Sequence, residues 1–301
     1  MVEPSKPRVS VVVVNFNTKD ALRRCLASIE AHHETIVVDN ASTDGSSEMV
    51  ARDFPGVRLI PNDANVGFGA ANNQGIRAAS GDWVLLLNSD AWATPGSIDR
   101  LADTLDRHGA VAGGGRLFNP DGTLQPSVAR QLTLGAVLSE QLYLERFTHT
   151  YWRDPASFEE PTEVDQVMGA CLMMKPVAFF DGRFFLYCED TELCHRLKER
   201  GSIVHDPKAE FFHELGTSST TNRWLSVARY NRGKELYFLI HHGKAQMAVC
   251  WVLNRLGAIL RFAAWTLISL VTLGRTQAQM WLFLRVLFAP VSGPPDPRRG
   301  R

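Results

Sequence analysis

The sequence predicts an α/β domain with a mostly parallel sheet, and three observations support this. Short apolar runs alternate with amphipathic helical segments over the first hundred residues. Residues 83–87 are apolar throughout, which is typical of a strand buried on both faces of a parallel sheet. Several of these runs end on Asn or Asp. Because the carboxyl ends of parallel strands meet at one edge of such a sheet, we expect a ligand site at that edge.

The individual elements follow from local periodicity. Leu22, Cys25, Leu26 and Ile29 lie at the i, i+3, i+4 and i+7 spacing of one helix face. The first half of the chain is predicted to contain strands at 9–14, 35–38, 57–60 and 83–87 and helices at 19–32, 70–79 and 94–107, with a further helix capped by Ser42 or Asp44. Alternation at this spacing predicts right-handed crossovers between parallel strands.

The second half of the chain is less regular. It is predicted to contain a strand at 110–117, a helical segment at 132–147, strands around Gly169, a helix at 191–200 and short strands at 202–205 and 210–213. We expect residues 1–240 to form one domain. Residues 241–301 are expected to form a helical extension that ends in a disordered basic tail at 293–301.

Charge is distributed unevenly along the 301 residues, although the formal net charge is zero and gives no reason to expect a nucleic-acid partner. From residue 240 onward there are eight basic residues and one acidic residue, so this segment carries +7 and the first 239 residues carry −7. This asymmetry predicts that the carboxyl-terminal segment meets an anionic surface.

Cysteine usage and the amino terminus point to the cytoplasm. The five cysteines show no paired C-x-x-C spacing and are expected to be reduced thiols. The first eight residues have no apolar core, so no signal peptide is expected. The histidine pairs His32–His33 and His241–His242 show no metal-like spacing to an acid, and we expect surface or structural roles for them.

Two passages place acids after apolar runs. Asp90 closes Asn-Ser-Asp at the end of the 83–87 run, where a carboxylate suits Mg²⁺ or Mn²⁺ shared with substrate phosphates. Glu189 and Asp190 follow the apolar run 184–188 at the start of a predicted helix. The structural alternatives are a turn for Asn-Ser-Asp and a capping acid pair for Glu189 and Asp190.

Seven passages, in order, resemble the inverting glycosyltransferases of family 2, specifically their rhamnosyltransferase-like members. They lie at 11–17, 37–45, 65–72, 85–90, 169–173, 184–190 and His213, so the resemblance covers residues 9 to about 240. It implies the GT-A fold, a Rossmann-like and mostly parallel sheet. It also implies a role in cell wall or polysaccharide biosynthesis on the cytoplasmic face of the membrane.

The resemblance implies roles for individual residues. Asp190 is expected to be the general base, and Asp90 a ligand of Mg²⁺ or Mn²⁺ with His213 as second ligand or diphosphate contact. Asn88 stands where the family's motif often has a first acid, which removes one charge from the metal site. The implied substrate-binding set comprises Asn15, Asn17, Asp39, Asn40, Asn65, Gly67, Asn72, Asn88, Ser89, Gly169 and Glu189.

The implied donor is thymidine-diphosphate rhamnose, and the implied acceptor is a glycan linked to polyprenyl diphosphate. The chemistry agrees, because displacement of a nucleoside diphosphate needs a cation for the leaving phosphates and one base for the acceptor hydroxyl. A glycosidase needs two carboxylates flanking the bond, and neighbours such as Glu189 and Asp190 cannot both face it. A noncatalytic nucleotide-sugar-binding partner protein is the alternative, which the presence of both Asp90 and Asp190 disfavours.

Two other enzyme classes fit less well. A dinucleotide-binding dehydrogenase needs G-x-G-x-x-G after the first strand, whereas Gly67-Phe-Gly69 follows the third and Asn72 replaces the last glycine. A processive polysaccharide synthase of the same family is expected to carry Gln-x-x-Arg-Trp. Thr220 stands at the Gln position before Arg223-Trp224, so a single addition is expected.

Residues 246–287 are rich in Leu, Val, Trp and Phe and are interrupted by four arginines. The longest uncharged run, 262–274, has 13 residues, short of the ~20 needed to span a bilayer. Cationic stripes beside apolar helix faces favour helices that lie in the interface of an anionic leaflet. The alternative is a helical pair that closes the catalytic domain or forms a homodimer.

Overall fold

The computed structural model describes residues 7–214 and 223–289, apart from the side chain of Arg146. Buried β-branched and leucine-rich runs form its central strands. The strands are β1 (Val9–Asn15), β2 (Glu34–Asp39), β3 (Arg58–Pro61), β4 (Trp83–Asn88), β5 (Ala91–Ala93), β6 (Ala112–Phe118), β7 (Leu124–Gln125), β8 (Val128–Ala129), β9 (Thr162–Val164), β10 (Gln166–Val167), β11 (Cys171–Met174) and β12 (Ile203–His213).

Helices connect most of these strands. They are α1 (Lys19–Ala27), α2 (Ser46–Asp53), α3 (Phe68–Ala78), α4 (Ser97–Arg107), α5 (Leu134–Gln141), α6 (Glu145–Thr148), α7 (Glu189–Lys198), α8 (Arg223–Val271) and α9 (Gln277–Leu287), with a 3₁₀ turn at Pro155–Ser157. Gly243 has φ +82° and ψ 178°, so α8 is two helical segments joined at a break.

The main sheet has the order β3-β2-β1-β4-β11-β6-β12-β5, with β7 beside β6 and β9 beside β12. Strands β1, β2, β3 and β4 are parallel, as predicted. β11 runs antiparallel to both β4 and β6, and β5 runs antiparallel to β12. The sheet is therefore mixed, with a parallel half that brings the ends of β1, β2 and β4 to one edge.

Helices cover both faces of the sheet. Because side chains alternate along a strand, Val11 and Val13 pack in one apolar cluster with residues of α1, α2 and α4, whereas Val12 packs in a second cluster with residues of α3 and α7. A third cluster joins α5 to α8 through Val137, Tyr237 and other buried residues. Burial of this apolar area is what stabilises the three-layer arrangement.

Several sequence-based boundaries were wrong. β12 is one strand, not the two predicted at 202–205 and 210–213, and its pairing with β6 shifts register between Asp206 and Glu210 around Pro207. The predicted helix at 132–147 is split into α5 and α6, and α1 ends at Ala27 rather than at residue 32. Strand β5 was not predicted. The division at residues 240 and 241 stays a prediction, and the tail at 293–301, Thr220 and residues 1–6 lie outside the described residues.

Candidate active site

The carboxyl ends of β1 and β2 carry a hydrogen-bonded polar cluster. Asn15 Nδ2 donates to Asp39 Oδ1 at 2.7 Å. Ser42 donates to the same carboxylate twice, from Oγ to Oδ1 at 2.6 Å and from its backbone N–H to Oδ2 at 2.9 Å. A carboxylate offers about four acceptor positions, so these bonds leave room for one more N–H donor at Oδ2.

The loop after β1 extends this cluster toward the end of β4. Thr18 Oγ1 donates to Asn15 Oδ1 at 2.6 Å and lies 2.8 Å from Ser89 Oγ. Asn17 is exposed, has φ +54°, and accepts the backbone N–H of Thr43 at 2.7 Å through Oδ1. The structure thus brings together Asn15, Asn17 and Ser89 from two strand ends, as the sequence predicts.

The asparagines predicted to line the donor pocket or to hold the nucleotide form hydrogen bonds with backbone atoms at and near the start of α3. Asn65 Oδ1 accepts the Gly67 N–H at 3.0 Å, and Asn40 Nδ2 lies 3.4 Å from the Gly67 carbonyl oxygen. Gly67 has φ +91°, and a Cβ there would lie 2.8 Å from the Phe185 carbonyl oxygen, so only glycine fits. Asn72 is 1% exposed and donates at 3.0 Å to a carbonyl one turn earlier in α3. Its side chain therefore stabilises α3 through a hydrogen bond to the backbone of the helix.

Asp90 and His213 lie together, as predicted, with Asn88 beside them. His213 Nε2 is 3.3 Å from Asp90 Oδ1 and 3.3 Å from Asn88 Nδ2. Gln125 fixes the imidazole, because its Nε2 donates to the His213 carbonyl at 3.1 Å and its Oε1 lies 2.8 Å from Nδ1. This orientation puts the proton on Nδ1 and the lone pair on Nε2.

These side chains fit a divalent cation. The Nε2 lone pair of His213 and the Asp90 carboxylate are two acceptors that face each other, and a cation between them satisfies both. Asn88 Oδ1 is buried and has no hydrogen-bond partner among the described residues, so a third donor atom, an amide oxygen, is available. Gln125 is a supporting residue that sequence reasoning missed, because β7 carries no motif that marks it.

Asp190 lies at the start of α7, where backbone N–H groups hold its carboxylate. Oδ2 accepts the Gly169 N–H at 2.9 Å, and Oδ1 accepts the Thr191 N–H at 2.8 Å. Burial raises the pKa of Asp190 above its ordinary range, and these two N–H groups oppose the rise. A Cβ at Gly169 would lie 3.1 Å from Asp190 Cβ and 3.3 Å from Asp190 Oδ2, so a larger residue would crowd this carboxylate.

Glu189, although adjacent, has different surroundings. It is 5% exposed, and its Oε2 has no hydrogen-bond partner within the described part of the chain. Burial and the charge of Asp190 raise the pKa of Glu189 to about 8. Of the two acids, Asp190 has the hydrogen bonds from backbone N–H groups that favour an ionised carboxylate, whereas the burial of Glu189 favours its neutral form.

The cation-binding cluster and Asp190 are connected through two neighbouring strands. The Asn88 N–H donates to the Ala170 carbonyl at 3.1 Å, and the preceding residue, Gly169, donates to Asp190. Leu87 of β4 pairs with Cys171 of β11. The antiparallel strand β11 thus brings the second acidic passage beside the first.

A cavity of about 290 Å³ lies along α7 and contains none of the predicted site residues. It borders Thr191, the residue after Asp190. Its lining comprises Gln131, Leu132, Asp165, Gln166, Thr191, His195, Lys198, Glu199 and Tyr237. Nothing in the sequence marked it, because the lining comes from separate elements with no shared motif.

The sequence of the chain matches known proteins. The family model described as glycosyl transferase family 2 matches residues 10–178. The chain is 32% identical over 262 residues to an N-acetylglucosaminyl-diphospho-decaprenol L-rhamnosyltransferase of Mycobacterium tuberculosis, covering 77% of this chain and 84% of that protein. It is 27% identical over 255 residues to the O-antigen biosynthesis protein RfbC of Myxococcus xanthus, covering 74% of this chain and 19% of that protein.

Solved structures share the fold. A mannosyltransferase from Pyrobaculum calidifontis, in complex with GDP-Man and Mn²⁺, aligns with a TM-score of 0.55 and 16% identity over 94% of this chain and 88% of that one. S. aureus TarS 1-349 in complex with UDP aligns with a TM-score of 0.52 and 15% identity over 83% of this chain and 70% of that one. The chain has the GT-A fold and belongs to glycosyltransferase family 2, as a rhamnosyltransferase-like member.

Proposed function

We propose that this glycosyltransferase moves L-rhamnose from thymidine-diphosphate rhamnose to a hydroxyl of an N-acetylglucosamine linked to polyprenyl diphosphate, in a single addition with inversion. The donor sugar and the acceptor rest on the name of the 32% identical relative. The observation that supports the mechanism is the link between the cation-binding cluster and Asp190 through Asn88, Ala170 and Gly169.

The arrangement of acids supports inversion. Of the two adjacent acids, Asp190 is the one whose carboxylate accepts backbone N–H groups beside the cluster, whereas burial and the charge of Asp190 raise the pKa of Glu189 to about 8. A single base that activates the acceptor hydroxyl permits one attack, opposite the leaving nucleotide, without a covalent intermediate. The product then has the anomeric configuration opposite to that of the donor.

Each group of residues has a role in this proposal. Asp39 accepts the pyrimidine N–H at its remaining position on Oδ2, while Asn15 and Ser42 hold its carboxylate in place. Asp90 and His213, with Asn88, would hold Mg²⁺ or Mn²⁺. A bound cation supplies charge stabilisation for the departing diphosphate. Asp190 takes the proton of the acceptor hydroxyl.

We further propose that α8 and α9 attach the enzyme to the cytoplasmic face of the membrane. Within the described residues, one helix, α8, is long and apolar enough by length and composition to cross a membrane, and 22% of its most apolar 18-residue window is buried. We call the large apolar side chains that are exposed along this region its apolar face. They are Val249, Val252, Leu256, Ile259, Leu260, Leu267, Leu270, Val271 and Leu273, each at least 45% exposed.

Of the basic residues in the predicted cationic stripes, Lys244 and Arg275 are exposed, but Arg255 and Arg261 contact the protein. Arg261 donates to Gln141 Oε1 at 2.6 Å and to the Glu140 carbonyl at 3.0 Å, so it faces α5 rather than a lipid headgroup. Arg255 donates to the Ala289 carbonyl at 3.2 Å and lies over the Trp251 ring. Apolar contact is therefore the main attraction we expect, and the exposed Tyr143 and neighbouring leucines of the α5–α6 connection add to it.

The function is tested with purified protein, a panel of nucleotide sugars and a synthetic N-acetylglucosaminyl diphosphate lipid. We expect transfer from thymidine-diphosphate rhamnose alone, and a product whose anomeric configuration, read by NMR, is inverted. Chelation and Asp90→Ala should each reduce turnover by about 10²-fold or more, since charge stabilisation by such groups contributes several kcal/mol.

Asp103→Ala on α4 is the matched control, because this exposed acid is paired only with Arg8 among the ion pairs of the described residues. It should retain wild-type turnover. Full activity in excess chelator would remove the cation from the mechanism, and transfer from a different nucleotide sugar would overturn the donor assignment.

A further inference from the structure

Two histidines and two carboxylates meet between the connection that follows α1 and the first turn of α4. His32 Nε2 lies 2.9 Å from Asp99 Oδ2. His33 Nε2 lies 3.9 Å from Asp99 Oδ1 and 3.6 Å from Glu30 Oε2. One donor atom each from His32, His33 and Asp99 lie within 4.8 Å of one another.

A buried and unsatisfied imidazole points into this cluster. The His33 side chain is 1% exposed, and its Nε2 has no hydrogen-bond partner among the described residues. Glu30 Oε2, which faces it, is also buried without a partner, although the other oxygen, Oε1, accepts the Gly96 N–H at 2.7 Å. Two buried polar atoms left unpaired cost free energy unless another group satisfies them.

We propose that His32, His33 and Asp99 bind a late first-row divalent cation, with Zn²⁺ preferred and Glu30 as the fourth donor. Imidazole and carboxylate donors suit Zn²⁺, which is four-coordinate and tetrahedral. Bonds of about 2.0–2.1 Å require about 3.4 Å between ligand atoms. The observed separations of 2.9, 3.6 and 3.9 Å bracket that value, so only small side-chain movements are needed.

The cluster is separate from the proposed catalytic cation site. His33 directly precedes the first residue of β2, whereas Asp39 is the last of the six residues of that strand. Six residues of strand span roughly 17 Å, so the two sites lie toward opposite ends of β2. No substrate phosphate is involved in the second site. The cation would instead join the α1–β2 connection to α4 and hold these two elements together.

Binding is tested on the full chain freed of metal by chelation and dialysis. Titration with ZnCl₂ should raise the melting temperature saturably, with one equivalent bound by the Asp90→Ala variant, because a ligand that binds the folded state stabilises it. Co²⁺ in its place should give the intense visible absorption of a four-coordinate site. In the Asp90→Ala variant, which lacks a ligand of the proposed catalytic cation site, Mg²⁺ at the same concentration should give neither effect.

Two variants locate the site. His32→Ala changes an exposed side chain, should fold normally, and should weaken Zn²⁺ binding by ~10-fold or more. His108→Ala, at an exposed position just after α4, is the matched control and should bind as wild type.

Asp90→Ala separates this proposal from the catalytic one, and it should keep the Zn²⁺ response. The proposal fails if Zn²⁺ gives no saturable shift, if His32→Ala binds as tightly as wild type, or if Asp90→Ala abolishes the response.

Discussion

At the residue scale, the adjacent acids Glu189 and Asp190 show how surroundings separate two similar side chains. Asp190 accepts two backbone N–H groups, and Glu189 has a buried oxygen without a described partner. Hydrogen bonds favour the ionised form, and burial alone favours the neutral form. Of the two acids, Asp190 therefore has the hydrogen bonds that favour the ionised form, which is the form that a general base needs.

Asp190→Asn tests this assignment. The amide preserves size but cannot take a proton, so the single-turnover rate should fall by ~10²–10⁴-fold while donor affinity changes little. Glu189→Gln is the comparison, and it should stay within a few-fold of wild type because a protonated Glu and a Gln are nearly isosteric. An Asp190→Asn enzyme with near wild-type rate, together with an inactive Glu189→Gln enzyme, would make Glu189 the base.

Glu189 should also give stability a characteristic pH dependence. Its pKa rises from 4.5 when unfolded to about 8 when folded, so the folded state binds the extra proton between these values. Glu189 therefore makes its full contribution to the free energy of unfolding below pH 4.5. This contribution decreases as pH rises toward 8, by at most ~1.4 kcal/mol per pH unit.

We expect the melting temperature of Glu189→Gln, measured relative to that of wild type at the same pH, to increase as pH rises from 5 to 8. Glu48→Gln, at an exposed position on α2, controls for the loss of one acid. A difference between Glu189→Gln and wild type that does not change with pH would show that the Glu189 pKa is not raised.

Most polar residues of the site were predictable, but some of their roles were not. Asp39 and Asp90 end apolar runs, and that local signal predicted that they lie at one edge of the sheet. Asp190 was predicted at the start of a helix, and α7 begins there. Gln125 and the cluster around Asp99 depend on contacts between distant segments. Asp99 is 67 positions from His32, so no spacing rule could have paired them. The roles assigned to the substrate-binding residues remain predictions.

At the element scale, the turn before α7 is held by the helix that continues to the carboxyl-terminal region. Tyr187 and Cys188 have φ values of +75° and +65°, a conformation that L-residues rarely adopt in succession. Gly233 of α8 packs against this turn, and a Cβ there would lie 2.5 Å from the Tyr187 carbonyl oxygen and 2.9 Å from Cys188 Cβ. Close packing of α8 therefore maintains the strained turn that presents Asp190.

Gly233→Ala should displace this turn and with it Asp190. A shift of about 1 Å at a reacting group can cost ~10²-fold in rate, so turnover should fall while the affinity for the nucleotide donor is retained. Gly182→Ala is the matched control, because a Cβ there meets nothing within 4 Å and the position is exposed. Equal loss of donor affinity and turnover, or no loss at all, would contradict this role of α8.

Elements with strong local periodicity were predictable, and those that depend on distant pairing were not. β4 was recognised from its own apolar run. β5 has three residues and exists because it pairs with β12, more than a hundred positions later. Pro207 breaks the regular pattern within β12, so the sequence suggested two strands where the structure has one with a register shift.

At the scale of the whole molecule, the exposed apolar face of α8 stands beside a catalytic domain that also exposes Tyr143 and Phe147. Cys250 and Asn254 of α8 are buried, and Asn254 Nδ2 donates to Glu235 Oε1 at 3.0 Å. One side of this helix thus belongs to the protein core, while the opposite side exposes Leu267 and Leu270. Removal of the whole segment would also remove core contacts.

Substitution of the exposed leucines is therefore the sharper test of membrane attachment. The double change Leu267→Gln and Leu270→Gln should release the protein from sedimenting vesicles while turnover on a soluble acceptor analogue is unchanged. Burying each leucine in the interface is worth roughly 1.5–3 kcal/mol, so the pair should weaken binding by about 10²-fold or more.

Val177→Gln, at an exposed apolar position of the catalytic domain, controls for lost hydrophobicity and should bind vesicles as wild type. Retained sedimentation of the double variant would contradict membrane contact by this face. A wild-type dimer that the double change converts to a monomer would instead identify the face as a homodimer interface.

The apolar face of α8 has a kinetic consequence if it lies in the bilayer as proposed. Enzyme and polyprenyl-linked acceptor then meet by lateral diffusion in a plane rather than in solution. The quantity that sets the rate is the mole fraction of acceptor among lipids, and adding inert lipid dilutes the substrate without changing its molar concentration. The nucleotide sugar still reaches the enzyme by diffusion through solution. The rate therefore depends on the molar concentration of the donor but on the mole fraction of the acceptor in the membrane.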